Sequence, residues 1–265
     1  MNATKAIFKK QLKATGANPE SLIQFLIYPL LALALGAMMD QDGMIDSLAG
    51  YFAQLPLPQY ILDEMISGVT GQMAMAMPNM VTMQATIFAG MGLIPVVAAI
   101  ISDDIERKSL RFLSMAGVKP STYLIGVGGV VFFLSFFSSM LFSVVGSFFG
   151  VEMLIFMGAM MSAVAGSIVL GAAIGILSSN VQAAAGLSMP IAIALGFGPI
   201  FAQMNERIAN IYHIFYTQQL NVIADYLNYG VSGTPLWQSF SIMWANVAVL
   251  GILFALVYRK KGIVE

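Results

Sequence analysis

The side chains best placed for chemistry are concentrated in one short charged segment, residues 103–115. Two aspartates are each followed four residues later by a base: Asp103 by Arg107, and Asp104 by Lys108. On a helix, an acid that precedes a base by four residues forms a favourable ion pair. These spacings predict a helix over residues 103–115 that is stiffened by two local ion pairs.

The same segment predicts contact with another surface. Leu110 and Phe112 are apolar residues on an otherwise charged helix, and exposed apolar side chains mark places that lipid or another protein covers. Glu106 and Arg111 supply further charges that would orient such a contact. Two interpretations are open: a capped loop helix that lies on lipid headgroups, or a docking site for a soluble subunit.

The composition excludes most kinds of catalytic site. The chain contains no cysteine and a single histidine, His213, so thiol nucleophiles, thiolate metal sites and most histidine-based triads are excluded. The phosphate-binding pattern G-x-x-x-x-G-K-[ST] does not occur. A net charge of −1 argues against binding to nucleic acid through a basic surface. We therefore expect a chain that is not an enzyme and holds no metal or cofactor of its own.

Long uncharged stretches on either side of the charged segment indicate the helices that position it. Of the 265 residues, 58% are hydrophobic and 9% are charged, whereas a soluble domain carries about a quarter charged residues. A helix that crosses a bilayer needs roughly 20 apolar residues. The sequence therefore predicts an all-α integral membrane protein with six transmembrane helices, over residues 21–39, 80–101, 121–151, 154–177, 183–203 and 237–258.

The distribution of lysine and arginine predicts the orientation of these spans. With six spans, eleven of the 12 basic residues fall on one side of the membrane, and only Arg207 falls on the other. The first outer loop, residues 40–64, holds five acidic residues and no basic one. Since basic loops stay in the cytoplasm, both termini are predicted to be cytoplasmic.

An amphipathic helix is predicted before the first span, within residues 1–19. Its four lysines fall in one arc, and Ile7, Phe8 and Leu12 fall on the opposite side. A helix with this pattern lies in the plane of the interface, with its lysines near lipid headgroups. We expect an interfacial helix that contacts membrane lipids.

A second flanking element is predicted between spans five and six. Within residues 208–227, the uncharged stretch 208–224 is only 17 residues long and too polar for a span, and it contains Tyr212, His213 and Tyr216. Aromatic residues of this kind are enriched at the membrane–water interface. The segment predicts re-entrant or interfacial helices on the outer face, with these three side chains as a candidate outer gate.

Several of these features together resemble the permease subunits of ABC-2-type exporters. Residues 101–113, followed by Val118-Lys-Pro-Ser121 and Tyr123-Leu-Ile-Gly126, are similar to that family's stretch E-R-E/K-x-G-T-L, P-V-S and Y-L-x-G. Glu106 and Arg107 match the motif, whereas Ser109 stands where glycine is usual.

The resemblance implies a single transmembrane domain over residues 1–265: an interfacial helix (1–19), a six-span region (21–258) and a cytoplasmic tail (259–265). It implies two permease copies that work with two ATPase subunits, which bind ATP and Mg²⁺, in a bacterial or archaeal cell membrane. The cargo would be amphipathic or apolar: a drug, a peptide or a lipid-like molecule. The cytoplasmic helix between spans two and three would be the coupling helix, with Asp103, Asp104, Glu106, Arg107, Lys108, Leu110, Arg111 and Phe112 as its contact residues.

Two other functions remain open from the sequence. An ion-coupled secondary carrier or channel usually places ionisable groups within its spans, and the centres of the predicted spans contain none. A membrane immunity or scaffold protein that transports nothing is the second alternative.

Overall fold

The computed structural model describes residues 3–17, 19–38, 80–230 and 234–264, and within them the chain is about 90% helical with no strand. The predicted outer loop 40–64 lies outside the described residues. The helices are α1 (Ala3–Ala17), α2 (Pro19–Met38), α3 (Met80–Glu106), α4 (Ser109–Met115), α5 (Pro120–Val145), α6 (Val151–Leu177), α7 (Val181–Met204), α8 (Glu206–Tyr212), α9 (Tyr216–Tyr229) and α10 (Leu236–Val264).

Five of these helices are long and apolar enough to cross a membrane: α3, α5, α6, α7 and the part of α10 up to Tyr258. The first predicted span corresponds to α2, whose axis is bent by 64° from that of α1; counting this pair as one span gives six. The prediction of an all-helical chain is therefore confirmed for the described residues, and the five or six helices that could span a membrane are consistent with a multi-pass membrane protein.

The third span is shorter than predicted. It was expected to reach residue 151, but α5 ends at Val145. Residues 146–150 form a tight turn in which Ser147 and Gly150 have φ angles of 57° and 61°. A positive φ interrupts a right-handed helix, which explains why apolar composition alone placed the boundary too late.

The predicted helix over residues 103–115 is divided in two. The span that begins at Met80 continues without a break through Glu106, so Asp103 lies in its last turn rather than at the start of a new helix. The chain then turns at Lys108, whose φ is 59°. The separate helix, α4, is only seven residues long. The break follows from the left-handed backbone at Lys108, which a helix cannot contain.

The core of the bundle forms around α6, which packs against α3, α5 and α10. A Cβ atom at Gly171 would lie 2.7 Å from the carbonyl oxygen of Ile94, and one at Gly175 would lie 2.8 Å from that of Ala98. Glycines let two helix backbones approach this closely. Because both positions advance by four residues, α3 and α6 run parallel, as the predicted topology requires.

The middle of α3 contains a wider turn. Residues Phe88–Gly92 form a π-helix, in which the amide of Leu93 bonds the carbonyl of Phe88. This segment lies directly against α7: a Cβ atom at Gly90 would lie 2.5 Å from the backbone nitrogen of Gly196. Glycine at position 90 thus permits contact between the two backbones.

The N-terminal helix is formed as predicted, and Ile7 and Phe8 of its predicted apolar face pack against Gly126 and Gly129 of α5, but its buried face extends in another direction. Ile7, Gln11 and Thr15 are the buried residues of α1, whereas Leu12, expected on the apolar face, is 37% exposed. Packing on another helix has therefore replaced the expected pattern for a helix that only rests on lipid.

The helix pair that is predicted on the outer face is also present, as α8 and α9, and it packs against the bundle. The ring of Tyr216, at the start of α9, packs over Gly166 of α6, and the hydroxyl of Tyr212 donates to the carbonyl of Ala194 in α7, at 3.1 Å. Both partner positions lie more than two turns from either end of their helices. The turn between α8 and α9 thus lies level with the middle of α6 and α7, and Tyr216 packs into the interior of the bundle.

Candidate functional site

One end of the bundle gathers most of the basic residues, and it is called the basic end below. It contains α1, with four lysines, and the segment between α3 and α5, which carries Arg107, Lys108 and Lys119. Glu106 accepts a hydrogen bond from the backbone nitrogen of Val181 at 3.3 Å, which places the start of α7 at this end. These elements are the ones that the sequence predicts to be cytoplasmic.

Asp104 joins four helices at the basic end. Its side chain is only 10% exposed. Its Oδ1 accepts hydrogen bonds from Lys10 Nζ at 3.0 Å and from Ser109 Oγ at 2.6 Å, and its Oδ2 accepts one from the hydroxyl of Tyr123 at 2.9 Å. The end of α3 is thereby tied to α1, α4 and α5.

The two predicted ion pairs have different outcomes. The first is confirmed: Arg107 Nε donates to Asp103 Oδ1 at 2.8 Å on the surface. The second is wrong, because Asp104 pairs with Lys10 and Lys108 lies in the turn that ends α3. The partner of Asp104 is 94 residues away in sequence, so local spacing could not predict it.

Helix α4 presents two large apolar side chains to the surroundings. Phe112 is 68% exposed and Met115 is 73% exposed. Leu110, expected beside Phe112 as a contact residue, instead packs partly buried against the core. The side chain of Arg111 lies outside the described part of the structure. The structure thus brings Arg107, Lys108 and Phe112 to the surface and turns Asp104 and Leu110 inward.

The three residues of the predicted outer gate occupy different environments. Tyr216 is fully buried, with its hydroxyl 3.0 Å from Ser167 Oγ, and Tyr212 is held by its bond to Ala194. His213 lies in the turn between the two helices, where its Nε2 is 3.5 Å from Thr234 Oγ1. Tyr216 is therefore part of the packing inside the bundle.

The sequence pointed to no cavity, but the structure has a cleft of about 730 Å³ near the basic end. It lies between α1, α2, α3 and α7, and its lining includes Gln24, Tyr28, Met91, Arg107 and Met189. The four helices that form its walls are far apart in sequence, and the local pattern of each indicates at most a membrane span or an interfacial helix. No local signal could have assembled them.

Asp225, on α9, is a further titratable group that sequence reasoning did not single out. It is partly buried, and its Oδ1 has no hydrogen-bond partner. Removal from water disfavours the charged form of a carboxyl group, and burial raises the pKa of Asp225 to about 6. Among the described residues, no group of three or more His, Asp or Glu side chains is arranged to hold a metal ion.

Comparison with known proteins assigns no family. No protein-family model matches the chain, and no curated protein shows significant similarity to it.

Proposed function

We propose that this chain is the membrane subunit of an ATP-driven exporter, paired with a second copy of itself and with two copies of a separate ATPase subunit. The basic end would face the cytoplasm of a bacterial or archaeal cell. The cargo would be amphipathic or apolar, in the range of a drug, a peptide or a lipid-like molecule. ATP and Mg²⁺ would bind to the ATPase.

The observation that carries the proposal is the exposed position of Phe112 on α4. Its side chain is 68% exposed, and the exposed bases Arg107 and Lys108 lie in the turn that precedes α4. Aromatic side chains that fill a partner's pocket carry much of the energy of an interface. A soluble partner with an apolar pocket and an acidic rim fits this surface.

The attachment of α4 supports a mechanical role for that contact. Ser109, the first residue of α4, and Lys10 of α1 both bond to Asp104 at the end of α3. A force applied to α4 would therefore reach α1, α3 and α5 together. Such a connection suits a subunit that converts closure of an ATPase dimer into movement of its spans.

The outer helix pair supports a transport path at the opposite end. Its turn reaches interior positions of α6 and α7. Non-helical backbone at such depth is tolerated where it is buried in protein or lines a cavity. In the proposed exporter, α8 and α9 would shape the exit for cargo.

The proposal is tested by replacing Phe112. Phe112→Ala should reduce co-purification of the cognate ATPase at least tenfold, because a buried aromatic anchor contributes roughly 2 kcal/mol or more. The matched control is Phe137→Ala, which removes a similarly exposed phenylalanine from the side of α5 and should leave association unchanged. ATP-driven efflux from vesicles that contain both subunits should fall in parallel for Phe112→Ala only.

Two results would contradict the proposal. One is full association and full efflux with Phe112→Ala. The other is sustained cargo movement by the purified chain alone in response to an ion gradient, which would favour the carrier or channel alternative.

A further inference from the structure

The cleft near the basic end has the length of one membrane leaflet. Helix α3 lines it from Met91 to Asp103, which at 1.5 Å per residue is about 18 Å. Half of the hydrocarbon thickness of a bilayer is about 15 Å. The length of the cleft therefore matches the distance from the headgroups to the middle of a membrane.

Polarity changes along the cleft in the same order as in a leaflet. At the basic end its walls contain Gln11, Gln24, Asp103 and Arg107. Further in, the lining on each wall becomes apolar: Ile27 and Tyr28 on α2, Pro95 and Met91 on α3, and Ala185 and Met189 on α7. A molecule with a polar head and a long apolar chain matches this gradient.

The polar end of the cleft offers a site for a phosphate group. Within the described residues, Arg107 makes its one hydrogen bond through Nε, to Asp103. Its two terminal nitrogens are left available, and a guanidinium binds phosphate oxygens through such paired donors. Gln24 is exposed on the facing wall, and its side-chain amide could donate to the same headgroup.

We infer that the cleft between α2 and α7 binds one glycerophospholipid from the leaflet at the basic end, with its phosphate at Arg107 and one acyl chain along Met91, Pro95 and Met189. The second acyl chain remains in the bilayer. The volume of about 730 Å³ lies within the range of about 300–1,000 Å³ found for ligand sites. This inference does not depend on ATP-driven export and goes beyond it.

The headgroup contact is tested by native mass spectrometry of the full chain, purified in detergent with dioleoyl phosphatidylglycerol. The unaltered chain should retain one lipid molecule. Arg107→Gln should lower the occupancy at least fivefold, while Lys108→Gln, which removes the neighbouring charge outside the cleft, should change it less than twofold. Dioleoylglycerol, which lacks the phosphate, and inorganic phosphate at millimolar concentration should each fail to displace the bound lipid.

The acyl-chain contact is tested by filling the apolar part of the cleft. Met189→Trp should abolish retention of the lipid, whereas Leu187→Trp, an exposed position on the same helix outside the cleft, should retain it. Thermal unfolding of both variants shows whether they remain folded. The matched pair Arg107→Gln and Lys108→Gln decides the question if Met189→Trp does not fold.

Three results would overturn the inference. The first is an unaltered chain that retains no phosphatidylglycerol, and the second is equal retention by Arg107→Gln and Lys108→Gln. The third is efficient disulfide formation between two Met189→Cys chains in phosphatidylglycerol vesicles, which would show that a second copy fills the cleft. None of these measurements involves an ATPase, so failure here leaves the proposed export function to its own test.

Discussion

A carboxylate that is nearly removed from solvent is tolerated only when its charge is paired and its oxygens are hydrogen-bonded. Asp104 meets both conditions through Lys10, Ser109 and Tyr123. Asp103, one residue earlier, has a single partner on the surface. At the scale of single residues, Asp104 therefore has a structural role, whereas the adjacent Asp103 makes only a peripheral contact.

Asp104→Asn should destabilise the protein more than Asp103→Asn. The first change removes the charge opposite Lys10 and disturbs the buried hydrogen bond from Tyr123 and the partly buried one from Ser109, at an expected cost of about 1–3 kcal/mol. The second removes an exposed ion pair, whose contribution is about 0–1 kcal/mol. Thermal unfolding in detergent, followed by tryptophan fluorescence, compares the two variants. Equal losses of stability would contradict the role assigned to Asp104.

Asp225 predicts a pH dependence of stability. Its pKa is about 6 in the folded chain and 3.8 when unperturbed. Between these values the folded chain keeps a proton that the unfolded chain has released, so stability falls as pH rises through this window. Asp225→Asn should therefore stabilise the protein at pH 7.5. The expected gain is only about 1 kcal/mol, because solvent screens the charge at this partly exposed position.

At pH 4, Asp225→Asn should change the unfolding temperature much less than at pH 7.5, because the carboxyl group is then protonated in the folded chain and still partly protonated in the unfolded chain. The check is the difference in unfolding temperature between variant and unaltered chain at the two pH values. A difference that is the same at pH 4 and pH 7.5 would exclude a raised pKa at this residue.

Sequence predicts individual contacts only where the partners are close along the chain. The pair Asp103–Arg107 follows from a spacing of four residues on a helix, and it is present. The pair Lys10–Asp104 depends on how α1 packs against the bundle, which no local pattern encodes. For the same reason Leu12 was expected on the buried face, which Gln11 and Thr15 occupy instead.

At the scale of helices, the existence of each helix was easier to predict from the sequence than the residues at which it ends or how deeply it packs into the bundle. Each predicted span from the second to the sixth has a corresponding helix, because about 20 apolar residues without a charge leave few alternatives. The ends at Glu106 and Val145 were misplaced because backbone turns at Lys108 and Ser147 carry no compositional signal. The outer helix pair was predicted, but its penetration to Ser167 depends on tertiary packing.

The close contact between α3 and α6 gives a prediction at this scale. Gly175→Ala should destabilise the bundle by about 1–3 kcal/mol, because the new Cβ would lie 2.8 Å from the carbonyl oxygen of Ala98. Gly158→Ala, on the same helix, would place its Cβ 3.7 Å from Phe240, and should be neutral or slightly stabilising. Unfolding temperatures of the two variants test the contrast, and a Gly175→Ala protein as stable as the unaltered chain would refute it.

At the scale of the whole molecule, the contacts at the basic end agree with an even number of spans. Tyr123, near the start of α5, and Tyr258, near the end of α10, have ring centroids 6.3 Å apart, and the start of α7 lies beside Glu106. A six-span chain with cytoplasmic termini places all of these positions on one side. The unequal distribution of lysine and arginine predicts that this side is the cytoplasmic one.

The orientation is tested by thiol labelling, for which the absence of cysteine in the native chain is convenient. Met115→Cys, at an exposed position on α4, should react with an impermeant reagent only from the cytoplasmic side. Ser47→Cys, in the acidic segment before the second span, should react only from the outside. Reaction of both from the same side would require a different number of spans.

The π-helical turn at Phe88–Gly92 has a consequence for the rotational phase of α3. It contains one residue more than a regular α-helical turn of the same height would accommodate. Deleting a single residue there would restore regular winding, and because the wide turn absorbs the extra residue, the parts of α3 on either side would keep their present rotational phase. Thr82 and Thr86 would then stay buried. A deletion in a regular turn between Gly92 and Glu106 would instead rotate the part of α3 before it by about 100° relative to the part after it. The helix therefore tolerates the loss of one residue from Phe88–Gly92 better than the loss of one residue from its regular turns.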